Sequence, residues 1–255
     1  MADVNRVNRG TIRVGVGGWD YDPWRETFYP AGLSKAKQLP YAGTQLTAIE
    51  INGTYYGSQK PETFAKWAKA VPDGFKFAVK ASRFCTNRRV LADGTESIER
   101  FLTQGLTELG DRLGPILWQF MATKKFDADD FAGFLALLPA TQDGVPLQHA
   151  IEVRHESFLA PEFAAMVAKA GHAVVFAHSN DFPEITAPSS TLFYARLQES
   201  VDEVATGYDA KALDAWAARA NDWTADGRDA YVFFISGAKH RNPAAAMALI
   251  EKLQK

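Results

Sequence analysis

Short β-rich apolar runs recur along the chain: Ile12–Val16, Ala48–Ile51, Phe75–Val79, Ile116–Trp118, Ala150–Val153, Ala173–Ala177, Leu192–Ala195 and Tyr231–Phe234. They lack the strict apolar–polar alternation of a half-exposed strand, which is the pattern of parallel strands covered on both faces. Helical spacing fills the intervals. Pro61 opens one helix, with Phe64, Trp67, Ala68 and Val71 on one face, and Thr95 is placed to cap another carrying Ile98, Leu102, Leu109 and Leu113. Asp127 precedes Phe131, Phe134, Leu135 and Leu138; Pro161 precedes Phe163, Met166, Val167 and Ala170, with Gly171 as a stop. Asp209 precedes Leu213, Trp216, Ala217 and Ala220, and Asn242-Pro243 form a cap and first-position pair before Met247, Ile250 and Leu253. Each set follows the i, i+3, i+4, i+7 rule. Leu33 to Tyr41 predicts a short first helix interrupted by Pro40.

Strand–helix alternation repeated eight times means a parallel sheet with helices outside, and eight units in a chain of 255 residues favour a closed α/β barrel of the (β/α)₈ TIM type over an open sheet. The sixth unit is degenerate: Phe176 to Leu192 is too short for a full helix, and Pro183 and Pro188 break it, so a loop or single turn is expected. An open doubly wound sheet is the alternative. It is disfavoured because Gly15-Val-Gly-Gly18 runs into Trp19 and Tyr21, too bulky to cradle a pyrophosphate. Residues 1–10 predict a loose polar tail and 11–255 a single barrel domain.

Composition narrows the setting. One cysteine, Cys85, excludes an internal disulfide and suits a reducing, cytoplasmic compartment. A net charge of -2 argues against a nucleic-acid partner, and no apolar run approaches the roughly 18 residues of a membrane span. A small molecule is the expected partner; nothing in the sequence indicates an oligomeric state.

In a parallel barrel the chemistry sits where strands end and βα loops begin. Those positions carry Trp19 and Tyr21 after strand 1, Glu50 and Asn52 on one face of strand 2 followed by Tyr55 and Tyr56, Lys80 on strand 3 and Gln119 on strand 4. Strand 5 carries Glu152 and Arg154 on one face, then His155; strand 6 ends in His178; strand 7 carries Arg196 and Gln198. After strand 8 come Ser236, Gly237, Lys239, His240 and Arg241.

These residues fall in runs with a family likeness. Val16-Gly-Gly-Trp-Asp-Tyr21, Phe28-Tyr-Pro30, Ile49-Glu-Ile-Asn-Gly-Thr-Tyr-Tyr56, Pro61-Glu-Thr-Phe64, Phe75-Lys-Phe-Ala-Val-Lys80 and Ile151-Glu-Val-Arg-His-Glu-Ser157 resemble the YecE-like family, also called domain of unknown function 72. The resemblance runs from about Ile12 to the C-terminus. It implies a TIM-type barrel with pocket positions at Trp19, Glu50, Asn52, Lys80, Gln119, Glu152, Arg154 and Arg196, and implies little about chemistry, since the family has no established common activity. The chain departs from the family pattern at His178 (Asp in other members), at Arg196-Leu-Gln-Glu199 (Arg-Leu-His-Gly) and at Ile235 and Ser236 (an Asn pair). Three pocket walls therefore differ, marking a divergent member with its own specificity.

Two carboxylates among cations at a strand-end pocket suit proton transfer once a pKa is raised by burial. Glu50, Lys80 and Glu152 are accordingly the candidate catalytic groups, Glu152 as general acid or base with Glu50 its partner, and Lys80 either orienting an anion or forming an imine. Trp19, Tyr21, Asn52, Tyr55, Gln119, Arg154, His155, His178, Arg196, Gln198, Ser236, Lys239 and Arg241 are the candidate substrate-binding residues, the last three forming an anion loop at the start of the final helix. A Glu152–Arg154 or Glu50–Lys80 ion pair that merely locks the barrel is the structural alternative. Lyase- or isomerase-type acid/base chemistry on a small polar or anionic molecule is the expected function, with no cofactor. The alternatives are a divalent-metal isomerase or hydrolase using Glu50, Glu152, His155 and His178, a glycoside hydrolase using Glu50 and Glu152, and a non-enzymatic ligand-binding barrel.

Overall fold

The computed structural model describes residues 9–185 and 192–254. Eight parallel strands close into a barrel: β1 (Ile12–Gly17), β2 (Ala48–Ile51), β3 (Lys76–Lys80), β4 (Leu113–Gln119), β5 (His149–Glu152), β6 (Ala173–His178), β7 (Leu192–Leu197) and β8 (Asp229–Phe234). Each pairs with its sequence neighbours, and β8 closes on β1 in the register Ile12 to Ala230 through Val16 to Phe234. Outside lie α1 (Lys35–Gln45), α2 (Pro61–Lys69), α3 (Thr95–Leu102), α4 (Ala128–Ala136), α5 (Pro161–Lys169), α6 (Ala210–Trp223) and α7 (Asn242–Leu253). The eight apolar runs each mark a barrel strand. Between β6 and β7 no helix forms in residues 179–185; the rest of the expected degenerate unit, 186–191, lies outside the described residues, as do residues 1–8 of the expected tail.

Some local expectations are corrected. Pro40 does not interrupt the first helix but sits inside α1. It removes one backbone donor, and burial of Leu39 and Ala42 on the same helix outweighs that loss. Thr95 is the first helical residue rather than a cap, with Gly94 in the cap position. Its helix stops at Leu102; Leu109 belongs to a separate 3₁₀ stretch and Leu113 to β4. The break follows Gly105, which holds a left-handed φ of 104°. Asn242 likewise is not a cap. Its buried amide accepts from Ser200 Oγ at 2.7 Å and donates to the Ser236 carbonyl at 3.1 Å, tying the loop after β8 to the end of β7. Asp127 and Asp209 do cap α4 and α6, each accepting a backbone N–H three residues on.

Two apolar layers follow from the alternation of strand side chains. The outer layer lies between strands and helices, where Trp118, Phe134, Phe158 and Phe163 are fully buried. The inner layer fills the barrel axis. There Ala48, Ala78, Ala150 and Ala173 face Tyr194, Tyr231 and Phe233. Small side chains on β2, β3, β5 and β6 leave room for three rings from β7 and β8. Tyr194 lies 5.2 Å from Phe233 and 6.4 Å from Tyr231, centroid to centroid. The plug closes the barrel below and leaves the strand C-termini as the open end.

At Gly15 of β1 the packing leaves no room for a side chain. A methyl on Gly15 would lie 1.8 Å from the Ala48 carbonyl oxygen. That close approach holds Gly17 against Glu50 in register, and Gly18 N–H donates to the Glu50 carbonyl at 2.9 Å. Gly15→Ala is therefore expected to lower unfolding stability by about 3 kcal/mol, because the strands must part to admit the methyl. The urea midpoint of the purified variant measures it; a wild-type midpoint would contradict the packing described.

Candidate active site at the barrel mouth

Inward alternation brings Glu50 of β2, Lys80 of β3, Gln119 of β4, Glu152 of β5 and Arg196 of β7 to one level above the apolar plug, with Arg154 just beyond β5. Glu50, Glu152 and Arg196 are all buried. Arg196 joins the two acids: Nη2 donates to Glu50 Oε1 at 3.1 Å, Nε to Glu50 Oε2 at 3.1 Å and Nη1 to Glu152 Oε2 at 2.7 Å. Tyr194 OH donates to Glu50 Oε2 at 2.7 Å, Gln119 Nε2 to Glu152 Oε2 at 2.9 Å, and Arg154 Nε to Glu152 Oε1 at 2.9 Å. All four carboxylate oxygens are thus engaged by protein donors.

The electrostatics follow. Burial alone would push the Glu152 carboxyl up, but Arg196 and then Arg154, with the Gln119 amide, outweigh it and hold Glu152 down at about 2. Glu152 is therefore held as a carboxylate at neutral pH, and the expectation of a carboxyl raised toward neutrality is corrected. The expected Glu50–Lys80 ion pair is absent among the described residues; Glu50 pairs with Arg196 instead. Lys80 has no carboxylate within ion-pair distance among the described residues and rests its Nζ 4.2 Å from the centre of the Tyr55 ring. Burial, then the neighbouring Arg196, lowers it to about 8 despite the opposing pull of Glu50 and Glu152.

Above this layer opens a cavity of about 320 Å³ lined by Lys80, Gln119, Arg154, Arg196, Asn52 and Ser236, among others. Lys239 and Tyr56 stand at its rim and also line an adjoining cavity of about 330 Å³ with Trp19. A larger hollow of about 640 Å³ lies elsewhere, around Arg88, Arg89 and Lys124, without the strand-end groups.

The remaining predicted residues divide. Tyr55 serves as the platform under Lys80 and its OH accepts from Asn87. Tyr21 does the same for Lys239, whose Nζ lies 4.2 Å from its ring centre. Of the expected anion loop, Ser236 and Lys239 line the cavity, while His240 turns to Asp202 at 3.3 Å and Arg241 is not among the lining residues. Ser236 holds a left-handed φ of 62°, a costly conformation for a non-glycine residue. His155 folds back so that its Nδ1 accepts from Ser157 N–H, capping a 3₁₀ turn. His178 falls on the outward parity of β6 and packs against Trp216 at 4.9 Å. Gln198 is buried but does not line the cavity. Sequence reasoning missed Tyr194, although its place two residues before Arg196 put a polar tip on the same inward face.

A family profile described as "Protein of unknown function DUF72" matches residues 13–255. The chain belongs to the DUF72 family. Among curated DUF72-type relatives, it is 25% identical over 158 residues to the UPF0759 protein YunF of Bacillus subtilis (strain 168), covering 60% of this chain and 54% of that protein. It is 26% identical over 152 residues to the UPF0759 protein YecE of Escherichia coli (strain K12), covering 58% and 50%. The chain thus spans about half the length of the curated relatives it matches. Its fold resembles crystal structures of a DUF72 family protein from Thermotoga maritima MSB8 (TM-score 0.74, 22% identity, 96% and 100% of the two chains). A second resemblance is to a DUF72 family protein from Enterococcus faecalis V583 (TM-score 0.72, 18% identity, 97% and 99%).

Two outcomes are expected from the buried layer. Arg196→Leu should cost about 3–5 kcal/mol in unfolding stability, because it strands two buried carboxylates; an unchanged urea midpoint would refute the bridging role. Glu152 titrates lower folded than unfolded, so its ionised form stabilises the fold above about pH 4.5 and that contribution disappears as pH falls toward about 2. The stability difference between the native chain and Glu152→Gln should accordingly shrink over that interval. A difference independent of pH would show that Glu152 is not held ionised.

Proposed function

We propose that this DUF72 chain is an enzyme that binds a small organic anion in the barrel mouth and moves a proton on it, in a lyase- or isomerase-type reaction, with Lys80 as the proton-carrying group. The observation that supports this most is Lys80 itself: a half-buried amine facing the cavity, free of any carboxylate contact among the described residues, and lowered to about 8. An amine with that value is protonated enough at neutral pH to hold an anion, and gives or takes a proton within reach of neutrality. Arg154, whose other face stacks 4.4 Å from the Phe182 ring centre, supplies a second cation. Glu50, Glu152 and Arg196 then serve as a fixed charged floor that positions Lys80 and Arg154. Imine formation by Lys80 is the covalent version of the same role.

The donor set favours this over the other chemistries. Glu50 and Glu152 spend their oxygens on Arg196, Arg154, Tyr194 and Gln119, which leaves neither as an open metal ligand. His155 and His178 do not converge on them, and no cluster of three metal-type ligands occurs among the described residues. Glycoside hydrolysis needs two carboxyls free to face a sugar, and the oxygens of Glu50 and Glu152 are all engaged by protein donors.

Calorimetric titration with acetate, propionate and phosphate provides the test. Anion affinity should fall as pH rises through about 8, where Lys80 loses its proton. Lys80→Met should weaken binding roughly tenfold or more, whereas Lys80→Arg should retain binding and lose its dependence on pH near 8. Equal affinity in native protein and Lys80→Met would reject the reading. Borohydride trapping during turnover, giving a mass adduct on native protein and none on Lys80→Arg, distinguishes the imine from simple proton transfer.

A further inference from the structure

We infer that the anion this site accepts carries an aromatic ring, with its acidic head, carboxylate or phosphate, at Lys80 and Arg154 and the ring in the adjoining cavity beside Trp19; the inference rests on the anion reading above. The two cavities adjoin. Gly17, Asn52, Tyr56 and Lys239 line both. Each alone, at about 320 and 330 Å³, is at the small end of ligand sites, and together they match a two-part ligand.

The adjoining cavity has the chemistry of a ring slot. Gly17, Gly18 and Gly53 are among its lining residues. A side chain at Gly53 would meet nothing within 4 Å, so that position leaves open space, while Gly18 holds a left-handed φ of 75° that glycine permits. Trp19 and Trp67 form one wall, packed edge to face with centroids 5.1 Å apart. Tyr56 also lines the cavity; its ring meets that of Tyr55 edge to face at 5.1 Å and is 70% exposed to solvent. An exposed ring gains little for the fold, and beside two tryptophans it offers a surface for an aromatic partner. Asp20, the carboxylate of this cavity, is engaged by Lys35 at 2.5 Å, and Lys239, shared with the mouth, lies over the Tyr21 ring, so the slot offers aromatic faces and no unpaired carboxylate among the described residues.

The head group follows from a charge count. On the floor of the mouth, Lys80, Arg154 and Arg196 face Glu50 and Glu152. Lys239, which also lines the cavity and lies over the Tyr21 ring, makes four cations against two carboxylates, an excess of two positive charges. The mouth therefore favours an anionic head, and a carboxylate and a phosphate both meet that excess.

The test compares benzoate, phenylacetate and 3-phenylpropionate with formate, acetate and propionate by calorimetry at pH 7. For at least one pair, the ring should tighten binding roughly tenfold to a hundredfold. Gly53→Leu, which places a side chain in the open slot, should bring that ratio close to one. Tyr56→Ala, at an exposed position whose loss leaves the core intact, should reduce it severalfold and guards against a folding defect in the first variant. A ring that adds nothing in any pair, or an advantage that survives both substitutions, overturns the slot while leaving the anion site standing. Failure of the ring-free acids to bind the native protein overturns the anion site itself, and the slot with it. Phenyl phosphate against inorganic phosphate forms a fourth pair, and tighter binding of phenyl phosphate than of all three aromatic acids assigns a phosphate head, weaker binding a carboxylate.

Discussion

The guanidinium of Arg196 between the carboxylates of Glu50 and Glu152 is the contact on which the barrel mouth depends. Two ionised acids buried above an apolar plug are tolerable only with a shared cation and a full set of donors. Arg196 supplies three of those donors, and Tyr194, Gln119 and Arg154 supply the others. The network crosses the barrel from β2 through β4 and β5 to β7, so it fixes strands that are not neighbours. Its geometry is rigid because each member has its partners within the protein.

That satisfaction has a consequence for chemistry. Neither acid keeps an oxygen free of protein donors, and the cations around Glu152 hold its carboxyl well below the usual range. The cation with no such carboxylate contact among the described residues is the one the network leaves out. Lys80 shares the level of the two acids without touching either, burial and Arg196 lower its pKa, and the Tyr55 ring rather than a carboxylate supports it. One buried ion network thus creates both the scaffold and the uncompensated charge above it.

The barrel interior makes this arrangement possible by an asymmetry of size. Alanines at 48, 78, 150 and 173 leave space that Tyr194, Tyr231 and Phe233 fill from the other side. Tyr194 is both packing and polar: its ring joins the plug and its hydroxyl caps Glu50. A phenylalanine there would fill the same volume and leave Glu50 one donor short, so the hydroxyl rather than the ring links the dry layer to the charged one.

How much of this was legible in the sequence depends on the range of the interaction. The strands were legible because an apolar run bounded by turns is a local signal, and the inward set Glu50, Lys80, Gln119, Glu152, Arg196 followed from strand parity once the runs were placed. Partnership was not legible. Whether Glu50 pairs with Lys80 or with Arg196, 146 residues away, depends on barrel closure, and the ionisation of Glu152 depends on which cations reach it. Parity also bears on His178: it follows the inward Ala177, so a polar residue ending a strand need not face the mouth. His155 lies beyond the strand, where parity lapses and the local bond to Ser157 decides its direction. Side chains on loops are thus assigned by short-range hydrogen bonding, those on strands by alternation, and the chemistry of the site by the long-range charge pairing that only the closed barrel creates.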